Sequence, residues 1–223
     1  WAMRGEWMAT TVAQPESLRE VLGDTVARRL LLVALVNAAP VAVTSTLFLF
    51  FVESRLAAPG MEGPLLLMFF LSAALAAPVW GRLAETQGAR PVLVFAMVLS
   101  ILAFGGVLAL GAGDTLAFAV ICVISGAALG ADLTILPALF ASRMAQIAPG
   151  AAQGFGLWSF VSKFTLAFAA VTLLPLLEAS GFQAGEANDA AALSTLTLLY
   201  AGVPCVLKLL AIALLAATPL KGS

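Results

Sequence analysis

The chain has 223 residues, 62% of them hydrophobic and 10% charged, with a net charge of -1 and a mean hydropathy of +1.06. A soluble domain carries about 25% charged residues, so this composition excludes a water-soluble globular protein and makes lipid the solvent and first partner. The absence of histidine excludes Ser-His and Cys-His catalysis, His-ligated haem and the usual His-bearing zinc sites; neither an enzyme, a metal site nor a nucleic-acid partner is expected.

Residues 1–27 are polar, open on Trp1 rather than methionine, and lack the apolar core of a signal peptide. They read as a cytoplasmic segment, and residues 16–29 have the spacing of an amphipathic surface helix, with Leu18, Val21, Leu22 and Val26 on one face. That helix is expected to run directly into the first span. Residues 28–221 then hold six apolar stretches able to cross about 30 Å of hydrocarbon. They fall at 30–52, 64–80, 91–110, 116–141, 154–177 and 193–217.

The first span carries Asn37, Pro40, Thr44, Ser45 and Thr46. Two readings fit: hydrogen bonds to neighbouring helices around a proline kink, or a cavity-lining helix with Asn37 and Thr44 two turns apart on one face. Between the second and third spans lies a tight turn, 81–91, in which Gly81 and Gly88 give backbone freedom. Arg82 and Arg90 flank the acid Glu85 there, a pattern able to latch neighbouring helix ends by charge. The third span has Ser100 as its one polar side chain and reads as a peripheral, lipid-facing helix.

In the fourth span Gly126 and Gly130 form a small-xxx-small pattern that lets backbones approach, followed at once by Asp132 and then Pro137. The fifth opens with glycines, Trp158, Ser159 and Ser162 before Lys163. About nine residues, or 13 Å, separate Lys163 from the helix end, beyond the reach of a snorkelling side chain. Lys208 in the sixth span has fewer polar neighbours, and structural pairing or snorkelling serves it as well as a pathway role. Asp132, Lys163 and Lys208 all fall roughly 4 to 6 Å to one side of the midplane. A charge there costs about 2.5 to 3.5 kcal/mol unless it meets a partner or a watery cavity. Asp132 and Lys163, on helices joined by one short loop, are therefore expected to face the same polar interior and to interact.

Orientation follows from the loops. With the N-terminus in the cytoplasm, that side holds Arg4, Arg19, Arg28, Arg29, Arg82, Arg90, Arg143 and Lys221 against Arg55 alone outside. Both ends are then cytoplasmic. Cys122 and Cys205 lie within spans and read as small packing residues.

The string from Gly81 to Arg90 resembles the second-half copy of the loop signature of the major facilitator superfamily, with Glu85 where an aspartate is usual and Gln87 at the central basic position. Residues 126–163 resemble the tenth and eleventh helices of the glycoside-pentoside-hexuronide:cation symporters, the melibiose-permease-like branch. The residues that fit are Gly130-Ala131-Asp132, Pro137-Ala138-Leu139, Gly154, Trp158 and Lys163, while Ser142-Arg143-Met144 replaces the acidic loop and Ala152-Gln153 the basic pair. Leu199 to Pro204 fits the last helix and Pro219-Leu220 its end, so the resemblance spans residues 16–221.

This resemblance implies an all-α transmembrane six-helix bundle, helices seven to twelve of a major facilitator fold, in a bacterial-type inner membrane. Residues 1–27 would be the central loop, and a six-helix N-terminal half would complete the transporter. It further implies cation-coupled symport of a sugar or similar small solute by alternating access, with the Na+ or H+ site mainly in that other half and no further cofactor. Lys163 would contact the solute, Asp132 would pair with it, and Asn37, Thr44 and Trp158 would line the pathway. A proton-coupled exporter and a non-transporting six-helix scaffold are the alternatives.

Overall fold

A computed structural model describes residues 21–147 and 152–219. Arg4, Arg19, the first part of the amphipathic segment, Pro149, Gly150 and Lys221 lie outside the described residues. Regular structure among the described residues is helical throughout, and six helices have membrane length: α1 (Thr25–Arg55), α2 (Glu62–Gln87), α3 (Ala89–Val107), α4 (Thr115–Ile147), α5 (Ala152–Ala179) and α6 (Ala190–Ala217).

Local chemistry sets the helix ends. The carboxylates of Asp24 and Asp189 accept hydrogen bonds from the backbone N–H of Ala27 and Ala192, each at 2.7 Å, and so start α1 and α6. The surface helix therefore does not run unbroken into the first span: Val21 to Gly23 are helical, and Asp24 then leaves the helix in extended backbone to cap the next one. At the other end of α2, Gly88 adopts φ 93, which only glycine takes without strain, and donates its N–H to the Ala84 carbonyl at 3.0 Å. The expected turn across 81–91 contracts to this one residue, because Gly81, Arg82 and Glu85 belong to α2 and Arg90 to the first turn of α3.

Two five-residue π turns widen the bundle at one level, Phe51–Arg55 closing α1 and Leu198–Gly202 interrupting α6. Pro204 accounts for the second. Its missing N–H and its ring together disfavour a normal turn against the Tyr200 carbonyl four residues back, and the wider turn relieves both.

Helix α1 packs on α4, α5 and α6, while α2 lies along α4, and α3 lies against α4 and α6 on the side away from α1 and α5. The third span is consequently half-buried rather than wholly lipid-facing. It buries Val92, Leu93, Ala96 and Met97 in a core with Ile135, Leu136 and Leu215, and turns Phe95 and Leu102 outward. Helices α1 and α2 do not pack along each other, and the gap between them is floored by α4.

The closest approach in the bundle is α2 on α4. A Cβ placed on Gly126 would stand 2.2 Å from the Phe69 carbonyl oxygen, and one on Gly130 would stand 2.6 Å from that of Ala73. The Trp80 indole N–H bolts the same pair by donating to the Ala127 carbonyl at 2.7 Å. We expect Gly126→Ala to lower stability by about 1–3 kcal/mol, since the obstacle is backbone that cannot rotate aside. Gly105→Ala, with open space around it, should leave the thermal unfolding midpoint in detergent unchanged. Equal midpoints for both variants would contradict the packing.

Candidate functional site

At the centre of the bundle three helices contribute one polar group each. Lys208 lies on α6 in line with Pro204, Ala211 and Leu215, all buried. Its ammonium donates to Asn37 Oδ1 on α1 at 2.7 Å and forms a salt bridge with Asp132 Oδ2 on α4. The three residues are only 3%, 4% and 9% exposed, so charge, counter-charge and amide are sealed together. Burying two ions is expensive, and their attraction offsets that cost only when geometry and extra hydrogen bonds are good. Here Asn37 supplies the extra bond. The second carboxylate oxygen, Asp132 Oδ1, is enclosed without a hydrogen-bond partner.

This arrangement corrects the pairing expected from sequence. Asp132 does face the interior, but its partner is Lys208, for which the structural-pairing alternative holds. Lys163 is exposed on α5, on the side opposite the row Thr165, Ala169, Leu173 and Leu177 that is buried in the bundle. Around it the surface is small and polar, with Gly156, Ser159 and Ala167 in line with the lysine. Beside that strip Phe160, Phe164 and Phe168 stack in a ladder, with centroids 5.9 and 6.0 Å apart.

The other expected pathway residues separate. Asn37 joins the buried cluster. Thr44 lines the gap between α1 and α2, where its hydroxyl donates back to the carbonyls of Pro40 at 3.0 Å and Val41 at 3.1 Å. Trp158 is a half-buried packing residue, its ring 5.2 Å from that of Phe140 on α4.

The arginines at the same end as Gly88 act differently from a loop latch. Arg90 donates to the Ala216 carbonyl and Arg29 to that of Ala217, so α3 and α1 together cap the C-terminal end of α6. Positive charge there also suits the helix dipole. Arg82 and Glu85 point outward, and Glu85 makes no ion pair among the described residues. A second clamp, missed in the sequence, joins Arg143 near the end of α4 to Asp24 at the start of α1, with Nε to Oδ1 at 3.0 Å. The Arg143 hydrogen bonds, helped by the Ala27 N–H, hold the Asp24 carboxyl below the usual carboxylate range despite partial desolvation. In the sequence Arg143 stands out only as a topology charge and as a departure from an acidic loop.

Six membrane-length helices closed around a sealed ion pair define a multi-pass membrane protein, and the described residues hold no cluster of potential metal ligands. The family of MFS/sugar transport proteins matches residues 3–222, and the chain belongs to that family, which is one of transporters and not of enzymes. Among curated proteins none matches.

The ion pair makes a sharp prediction. Lys208→Met or Asp132→Leu alone strands a buried charge and should cost about 3–5 kcal/mol, whereas the double variant should recover most of that loss. Thermal unfolding in detergent measures all three, and additive losses would contradict the pairing.

Proposed function

We propose that this bundle forms one wall of a cation-coupled symporter for a sugar or similar hydroxylated solute, rocking against a second six-helix bundle by alternating access. The reading rests on family membership and, within the molecule, on one observation: α5 turns Lys163 outward on a small, polar strip beside a phenylalanine ladder. An ammonium at that depth facing hydrocarbon is costly, so the strip belongs against water or protein while the ladder suits lipid. A second bundle placed over the strip turns it into the wall of an aqueous pathway.

In this reading Lys163 is the solute contact or the counter-charge to an acid of the other bundle, where the Na+ or H+ site would lie. Asp132 and Lys208 hold the wall rigid from within. The excess of arginine at the Gly88 end supports the reading that this end, and with it both chain ends, faces the cytoplasm of a bacterial-type inner membrane. Lys163→Met in the complete transporter should cut gradient-driven uptake at least tenfold without lowering the amount of protein in the membrane. Uptake equal to the unmodified transporter would overturn the role given to this face.

A further inference from the structure

The gap between α1 and α2 ends in a cavity of about 40 Å³, bordered by Thr44 and Ser45 of α1, Phe69 and Phe70 of α2, Ser125 of α4 and Tyr200 of α6. Ser45 and Phe70 are exposed, so the cavity opens at the bundle surface. Its walls are largely aromatic.

Tyr200 has no role in the ion-pair frame or the helix clamps. The residue is only 3% exposed, and its hydroxyl has no hydrogen-bond partner among the described residues. That hydroxyl is also not one of the unpaired polar atoms enclosed among the described residues, which are Arg55 Nε and Asp132 Oδ1. It therefore retains access to the cavity that Tyr200 lines.

Backbone geometry holds the ring there. Tyr200 is the middle residue of the π turn Leu198–Gly202, and its ring stacks on Phe51, the first residue of the other π turn, with centroids 4.4 Å apart and planes 11° apart. Wide turns of this kind are rare and concentrate at functional positions. A phenol left without a partner inside a membrane protein has a cost that a ligand can remove.

The neighbouring hydroxyls have the complementary character. Thr44 donates to Pro40 and Val41, and Ser125 donates to the Ile121 carbonyl at 2.7 Å, so both present lone pairs and no free proton. The Tyr200 phenol offers a donor and the Thr44 and Ser125 hydroxyls offer acceptors between apolar rings, with the exposed Ser45 hydroxyl at the rim. Size narrows the occupant: one water needs about 10 to 15 Å³ of such space, so this cavity of about 40 Å³ takes a group of about three or four heavy atoms and not a whole sugar ring.

We propose that the cavity is a subsite for the hydroxyl-bearing end of the transported solute, a hydroxymethyl group or vicinal diol, with Tyr200 as donor and Thr44 as acceptor. The phenylalanine rings lie against the C–H bonds of that group, which suits the negative faces of the rings. This rests on the reading of the bundle as the wall of a sugar pathway.

The test uses the complete transporter in proteoliposomes, with radiolabelled D-glucose, D-galactose and D-xylose as probes and the monodeoxy analogues of the best-transported sugar as competitors. In the unmodified transporter one monodeoxy analogue should compete about tenfold less well than its parent, the loss expected for one buried hydrogen bond. Tyr200→Phe should weaken the parent about tenfold, to the level of that analogue, and leave the analogue unchanged. The unchanged analogue also reports that the variant is folded. If Tyr200→Phe keeps the full preference for the parent at every position, the subsite is wrong while the sugar pathway stands. If none of the three sugars is taken up by the unmodified transporter, the sugar-pathway reading fails and the subsite with it.

Discussion

The organisation of this bundle depends on one ammonium, that of Lys208, having a counter-charge at membrane depth. A lone charge there costs several kcal/mol, and the chain meets that cost by bringing Asp132 of α4 and Asn37 of α1 to the same point as α6. Three helices are thereby fixed in rotation as well as in position, because each must present one particular side chain to the centre. The remaining helices attach to this frame by packing. Helix α2 lies on α4 through Gly126 and Gly130, α5 lies on α1, and α3 fills the angle between α4 and α6.

A frame of this kind suits a body that moves as a unit. Rocking of one bundle against another requires stiffness inside each, with the adaptable contacts kept on the face between them. The clamps at the arginine-rich end add to the same internal stiffness. Arg143 ties α4 to α1 through Asp24, while Arg29 and Arg90 tie α1 and α3 to the last carbonyls of α6. The exposed strip around Lys163 and the cleft under Tyr200 lie outside this internal network.

Helix number, span positions and the common depth of Asp132 and Lys208 were legible in the sequence, because hydropathy and counting report position along a helix. Rotation about the helix axis was not. Counting along the spans puts Lys163 and Lys208 at about one level, and choosing between them as the partner of Asp132 needed the facing direction of α5 and α6. The signal for Lys208 was its alignment with Pro204, Ala211 and Leu215, a row whose small and apolar residues mark the inner face. The serines near Lys163 drew attention instead, although they share its outward side. The glycine pattern at Gly126 was readable, since close approach is a property of the residues themselves. The Tyr200 cleft was missed. Its clue was the one tyrosine of the chain standing four residues before a proline in an apolar run.

The most direct test of the central ion pair is solid-state NMR on protein in bilayers, labelled with 15N at lysine Nζ and 13C at aspartate Cγ. A short Nζ to Cγ dipolar contact should appear, survive Lys163→Met and vanish in Lys208→Met. A contact that persists without Lys208, or is lost with Lys163, would contradict the frame on which this account of the bundle rests.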